Sequence, residues 1–263
     1  MYNAHMTPQA TIHQLETCSS TNTVALDLVK KGAAHGTVVV TKEQTEGRGR
    51  QGRSWIATEN SLAFSLILRP DMAIEYAPRL TLIAAVALLE ALHHFQVEAY
   101  IKWPNDIVIL AADKQELPLW GPFRKVAGIL AEISSQGSQI QAAVVGIGIN
   151  LDRENSSFLV DNLPHAGFLS DAGFFDKPEF LLATILKSLQ KHFDQIHNPS
   201  HWADCLEKIR HFSATLNRNV RIEEGNSSVV GKAIAIRDDG SLWVQKPDGK
   251  TKAVYAGDVG ISL

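Results

Sequence analysis

Gly47-Arg48-Gly49-Arg50-Gln51-Gly52-Arg53-Ser54-Trp55 threads three arginines through three glycines and closes on a tryptophan. It lies between two segments that read as strands. Thr37 to Gln44 has Val38, Val39 and Val40 at its centre, and Ser61 to Arg69 alternates through Leu62, Phe64, Leu66 and Leu68. The spacing therefore predicts a long strand-to-strand loop. Glycine lets a backbone lie close to a ligand, and the forked donors of arginine match carboxylate and phosphate oxygens. A loop so built is expected to be poorly ordered alone and to close over an anion. A solvated basic loop or a nucleic-acid-binding segment has the same composition, so the rest of the chain has to decide.

Upstream, Ile12 to Glu16 reads as a first strand, and Thr17-Cys18-Ser19-Ser20-Thr21-Asn22 leads into a helix. Val24, Ala25, Leu28 and Val29 form the inner face of that helix, and Gly32 lies just past its end. Ser20, Thr21 and Asn22 suit an N-terminal cap, and the same groups at a helix N-terminus suit a small polar ligand. Downstream, Tyr76 to Phe95 is the longest helix, apolar enough to be buried. Ala99 to Trp103 reads as a strand, Pro104-Asn105 as a break and Asp106 to Leu110 as a second strand. This holds Lys102, Asn105 and Asp106 at a kink in or beside the sheet. Residues 111–123 read as a polar surface loop. Arg124 to Ile133, carrying Lys125 and Gly128, pairs with Gln139 to Asn150. In Gly146-Ile147-Gly148-Ile149-Asn150 the period of two puts both glycines and Asn150 on one face and both isoleucines on the other. One face packs the core, and the other is stripped to admit something flat.

Asp152 to Asp176 has no clear period, and Pro178 to Ile196 and His201 to Phe212 read as helices. After Leu216 come short alternating runs (Val220 to Glu223, Val229 to Ile236, Leu242 to Gln245, Ala253 to Tyr255, Val259 to Leu263) separated by Gly/Asn/Asp turns, as in a small all-β meander or barrel. The domains expected are residues 1–216 and 217–263. Hydrophobic residues make up 45% and charged residues 20%, so a full core is available; the net charge of -3 gives no global nucleic-acid signal. The apolar run Leu80 to Leu89 is about half the roughly 20 residues a membrane span needs. Cys18 and Cys205 have no Cys-x-x-Cys partner, which argues against a disulfide framework or a zinc site and suits a reducing compartment. The polar N-terminus lacks a signal-peptide core. A cytoplasmic protein is expected.

Taken in order, Ser20-Thr21-Asn22, the Gly47 to Trp55 loop, Lys102-Trp103-Pro104-Asn105-Asp106, Lys125-Val126-Ala127-Gly128-Ile129-Leu130 and Gly146 to Asn150 resemble the biotin-protein ligases, from about residue 12 to 150. Gly240-Ser241-Leu242 and Gly257 to Leu263 resemble the family's small C-terminal barrel. The resemblance implies an α+β fold: a mixed, largely antiparallel sheet with packed helices, class II synthetase-like, plus an SH3-like β-barrel. It implies that biotin and MgATP form biotinyl-AMP, which acylates one lysine of the biotin carboxyl carrier protein of a biotin-dependent carboxylase.

By that resemblance Ser20, Thr21 and Gln44 bond the ureido ring. Asn22, Arg48, Gly49, Arg50, Lys125, Gly128 and Gly146 also belong to the biotin site. Arg48, Arg50, Arg53, Trp55, Lys102, Asn105 and Asn150 meet ATP. Lys102, Asp106 and Arg48 are the catalytic candidates, with Lys102 on the α-phosphate and Asp106 orienting the carrier amine or taking its proton. Mg2+ is implied as part of MgATP, with no metal ligand assignable.

Only about a dozen residues precede the first strand, too few for a helix-turn-helix module, so a monofunctional form that binds no nucleic acid and no membrane is expected. An edge strand is available to a homodimer or to the carrier. Two alternatives stand beside this reading: a lipoate-protein ligase of the same superfamily, and a non-catalytic RNA- or partner-binding protein.

Overall fold

The computed structural model describes residues 11–112, 115–154, 162–225 and 227–262. Part of the irregular excursion after Asp152, part of the 111–123 loop and the final Leu263 lie outside the described residues. The strands of the larger sheet are β1 (Ile12–Cys18), β2 (Val38–Gln44), β3 (Ser61–Leu68), β4 (Tyr100–Lys102), β5 (Asp106–Leu110), β6 (Phe123–Gln136) and β7 (Gln139–Asn150). They lie in the order β1-β2-β3-β7-β6-β5-β4. β1 and β2 run parallel and the other described pairings are antiparallel. The helices are α1 (Thr21–Lys30), α2 (Ala77–His94), α3 (Pro178–Phe193) and α4 (Pro199–His211). Proline opens α3 and α4 at their first position and sits in the first two residues of α2, where its missing N–H costs no helical bond.

The alternation expected along β3 reaches both sides of the sheet, and all eight of its residues are buried. Leu62, Phe64, Leu66 and Leu68 join the main core with α2, α3 and α4, while Ile67 meets Val39, Val144 and Ala25 of α1. Central strands covered on both faces lose the polar half of the pattern. α1 is only ten residues long, so it covers one end of its face. The uncovered part of that face carries Ala63, Gly128, Gly146 and Gly148, and a cleft opens there.

The expected kink at Pro104 is a tight hairpin. β4 and β5 pair with Lys102 opposite Asp106, and the Trp103–Pro104 peptide is cis. Helix capping by Ser20 is not by its side chain: Ser20 holds the N-cap position with extended backbone and makes no side-chain cap bond. The loop after Leu110 is less superficial than its composition predicts. Leu119 bridges to Ile261, and the Trp120 ring lies beside the cleft.

β8 (Asn219–Glu224), β9 (Ser227–Ile236), β10 (Leu242–Gln245), β11 (Thr251–Val254) and β12 (Asp258–Ser262) form a separate antiparallel sheet in the order β11-β10-β9-β8-β12. Trp103, 2% exposed, ties the two sheets together by donating its indole N–H to the Gly240 carbonyl at 3.0 Å. No helix among the described residues is long and apolar enough to cross a membrane.

Candidate active site

Two joined cavities, a smaller and a larger, occupy the uncovered face. They share Gly49, Arg50, Trp55, Asn105 and Lys125. The smaller is lined by Ser20, Thr21, Asn22, Gln44, Arg48, Gly128 and Gly146. The larger is lined by Arg53, Lys102, Asp106 and Asn150. Every biotin, ATP and catalytic candidate named from the sequence therefore lies on one or both.

The smaller cavity has a polar end. Gln44 Oε1 accepts from the Thr21 amide at 2.8 Å and from its hydroxyl at 3.2 Å. The buried Ser65 hydroxyl lies 2.8 Å from Thr21 Oγ1 and 2.6 Å from Asn22 Oδ1, and its one hydrogen serves either. Asn22 donates to Glu132 at 2.8 Å, and Glu132 also holds Arg48 at 2.6 Å. Ser65 and Glu132 escape the sequence reading. A serine inside an apolar strand and a glutamate past the Lys125 to Leu130 motif carry no local signal.

The stripped face admits side chains of the chain itself. A Cβ on Gly146 would stand 2.1 Å from Asn22 Oδ1, and one on Gly148 would stand 2.4 Å from the Trp55 indole. Trp55 lies between the cavities with its buried indole nitrogen unpartnered among the described residues.

In the larger cavity the charges are dense. Asp106 receives Lys125 at 2.6 Å and Lys102 at 3.9 Å, so its nearer partner is Lys125 and not the hairpin lysine. Burial alone would raise the Asp106 carboxyl, but Lys125, Lys102 and Arg50 outweigh it and hold the group below its ordinary range. For Lys102 burial wins. Despite the pull of Asp106 its ammonium is pushed down to about 8. Lys102 also donates to the Val259 carbonyl and sits 4.2 Å from the centre of the Trp120 ring.

The loop arginines are anchored by the protein: Arg50 donates to Asn105 Oδ1 at 2.8 Å and Arg53 pairs with Asp258. The loop itself is a small hairpin, in which Gly49 donates to the Arg53 carbonyl at 2.7 Å and Trp55 to the Gly47 carbonyl at 2.8 Å. Asn150 lines this cavity, yet its amide donates to the Gly167 and Lys125 carbonyls at 3.0 and 3.4 Å and so pins the 165–167 segment.

Trp120 stacks on His165 with ring centres 4.3 Å apart. Burial, reinforced by Lys125, pushes the His165 imidazole down to about 4. Neither residue is foreseen from sequence, and neither is the far wall: Arg221, Glu223 and Gly257 to Gly260, from the C-terminal sheet and the turn before its last strand. The cleft acids are already paired, Asp106 with Lys125, Asp258 with Arg53 and Glu223 with Arg221. They do not amount to a carboxylate cage for a divalent cation.

Residues 15–150 match the Biotin/lipoate A/B protein ligase family, and residues 215–261 match the Biotin protein ligase C terminal domain. The bifunctional ligase/repressor BirA of Bacillus subtilis (strain 168) is 31% identical over 246 residues, which is 92% of this chain and 71% of that protein. The biotin--[acetyl-CoA-carboxylase] ligase of Paracoccus denitrificans is 30% identical over 236 residues, 88% of this chain and 92% of that one. The structure of biotin protein ligase from Aquifex aeolicus in complex with biotin and ATP superposes with a TM-score of 0.76 at 25% identity, covering 96% of this chain and 98% of that one.

Because the Gly146 contact is with an ordered, hydrogen-bonded amide, Gly146→Ala is expected to cost about 1–3 kcal/mol of stability in urea unfolding. In an Asn22→Ala background the same substitution should cost less, by a coupling of about 0.5–3 kcal/mol. Equal costs in the two backgrounds would show that the close approach is not what requires glycine.

Proposed function

The chain belongs to the Biotin/lipoate A/B protein ligase family, and on that premise we propose that it activates biotin with ATP and transfers the biotinyl group to one lysine of a biotin carboxyl carrier protein. The observation that carries this is the meeting of five separate sequence segments on two joined cavities, with Arg50 and Lys125 at the junction. In the first step a biotin carboxylate oxygen attacks the α-phosphorus of ATP, an acyl–phosphate bond forms and pyrophosphate leaves. Two anions must approach each other, so cations fixed between them lower the barrier. Arg50 and Lys125 stand where both cavities meet, and Lys102 lies in the larger one, where the α-phosphate would sit. Arg48, given a catalytic part by resemblance, is paired with Glu132 and must leave that partner to reach an anion.

The ureido head of biotin is assigned to the polar end of the smaller cavity, with Ser20, Thr21, Asn22 and Gln44 as its partners and Gly49, Gly128 and Gly146 giving close approach. ATP is assigned to the larger cavity, with Arg53, Trp55 and Asn105 about it; Asn150 would act chiefly through the backbone it pins. This small, hydrogen-bonded end suits a compact ureido ring better than a long apolar lipoyl chain. A nucleic-acid role is not favoured, since the loop arginines are engaged by Glu132, Asn105 and Asp258. Mg2+ would enter on the nucleotide's phosphates as MgATP, because no set of free cleft carboxylates among the described residues would hold it.

In the second step the carrier lysine amine attacks the acyl carbon and AMP leaves. A carboxylate held below its usual range is a poor proton acceptor, so Asp106 is assigned to orienting that amine and to spacing the cations. Residues 1–216 are proposed as the catalytic domain and 217–263 as an SH3-like domain; the family match at 215–261 and the separate sheet support this. The edge at β1, without a further strand among the described residues, is proposed as the place where a second copy or the carrier adds a strand, since β4 at the other edge is bridged by Ser213. A cytoplasmic setting is supported by two free thiols.

Incubation with labelled biotin, ATP and a carrier domain should release pyrophosphate and label one lysine. Lipoate should neither replace biotin nor compete with it; labelling by lipoate instead would move the chain to the sister activity. Lys102→Ala should slow adenylate formation roughly 10²–10³-fold. At sub-saturating ATP the wild-type rate should fall as pH rises through about 8, where the Lys102 ammonium is lost, and Lys102→Arg should flatten that limb. An identical limb in Lys102→Arg removes Lys102 from the phosphate. Asp106→Asn should slow transfer from preformed adenylate more than it slows adenylate formation, and equal losses would leave Asp106 with cation spacing alone.

A further inference from the structure

Outside the cleft, His192 on α3 and His201 and Cys205 on α4 form a buried trio that the proposed reaction does not use. His201 and Cys205 are four residues apart, so they share a face of α4. That face meets His192 from the preceding helix. His192 Nδ1 lies 3.1 Å from His201 Nε2, and Cys205 Sγ lies 3.6 Å from the first and 3.7 Å from the second. The three are 1%, 8% and 0% exposed.

These spacings are those of three corners of a tetrahedron. With metal–nitrogen bonds of about 2.0–2.1 Å and a metal–sulfur bond of about 2.3 Å, two nitrogens stand about 3.3 Å apart and nitrogen and sulfur about 3.5 Å apart. The outer nitrogen of His192 is already oriented, since Nε2 lies 3.0 Å from Glu90 Oε2 on α2. Donation of the Nε2 hydrogen to Glu90 leaves the Nδ1 lone pair facing His201 and Cys205, the carboxylate–histidine arrangement that supports a bound ion. Lys191 and Lys208 also contact Glu90. One turn before His192 on the same face of α3, Ser188 has a buried hydroxyl with no partner among the described residues.

We propose that His192, His201 and Cys205 are a structural site for a thiophilic d10 cation, with Zn2+ as the first candidate and water as the fourth ligand, clamping α3 to α4 behind the catalytic sheet. The absence of Cys-x-x-Cys does not speak against it, because the helical repeat brings the ligands together. Binding replaces the Cys205 thiol proton with the metal. His201, the least buried of the three, stands at the start of α4 and gives the ion its way in.

The test uses the full chain, stripped with a chelator, dialysed and titrated with Zn2+ against a chromophoric competitor. Co2+ serves as the spectroscopic probe. One Zn2+ per chain is expected, with a melting temperature that rises on loading. The Co2+ form should show tetrahedral visible bands and thiolate-to-cobalt charge transfer. Cys205→Ser should lose the charge-transfer band and at least tenfold in affinity. His201→Gln should lose the melting shift, and Glu90→Gln should weaken binding roughly 10–100-fold. Uptake of Cu+ in an anaerobic competition, where Zn2+ fails, would sustain the site with the softer ion.

A chain that takes up neither ion stoichiometrically has a hydrogen-bonded trio only, and the proposal falls. It falls equally if Co2+ taken up stoichiometrically by the wild-type protein shows no thiolate charge transfer, a reading that stands even if every variant misfolds, or if a folded Cys205→Ser binds the same ion like the wild type.

Discussion

Cations crowded into a half-buried cleft repel one another, and Asp106 is what allows Lys102, Lys125 and Arg50 to share this one. A unit charge removed from water needs a close opposite charge or it sheds its proton. Lys125 has Asp106 at 2.6 Å; Lys102, at 3.9 Å and nearly fully buried, shows the cost of the poorer share in an ammonium pushed down to about 8. The β4–β5 hairpin fixes this geometry, because it sets Lys102 and Asp106 opposite each other and leaves Asn105 at the turn to hold Arg50. One short turn thus positions a cation, its counter-ion and the anchor of the Gly/Arg loop.

The sheet supplies the other half of the arrangement. Its α2 face is filled with large aliphatic side chains, while its α1 face runs from a small apolar cluster at Ile67 and Val144 to bare backbone at Gly146 and Gly148. The same strands therefore anchor a core on one side and leave room on the other. Trp55 uses that room, its indole against the Gly148 backbone, and so links the loop to the floor of the cleft.

Much of this is legible in the chain itself. Period-two and helical spacing locate the strands and helices to within a few residues, since Gly, Pro and Asn/Asp punctuate them sharply. The candidate residues all reach the cleft because each sits in a short motif whose chemistry is visible locally. What local pattern does not carry is anything assembled across distance. Ser65 looks like filler in an apolar strand, Glu132 like a surface acid, and Trp120 and His165 belong to stretches without a period. The Lys125–Asp106 pair is invisible for the same reason: the two meet because β5 and β6 are neighbours, whereas Lys102 and Asp106 are close in the chain and invite the wrong first partner. His192, His201 and Cys205 resemble isolated residues until α3 and α4 are laid side by side.

The far wall of the larger cavity comes from the last strand and the turn before it: Gly257 accepts from Arg50, Asp258 pairs with Arg53, and Val259 accepts from Lys102. More than two hundred residues separate the arginine loop from that wall. During synthesis the loop and the β4–β5 hairpin emerge from the ribosome long before β12 does, so the nascent polypeptide carries an incomplete cleft over that whole interval. Competence is thereby deferred until β12 has been made.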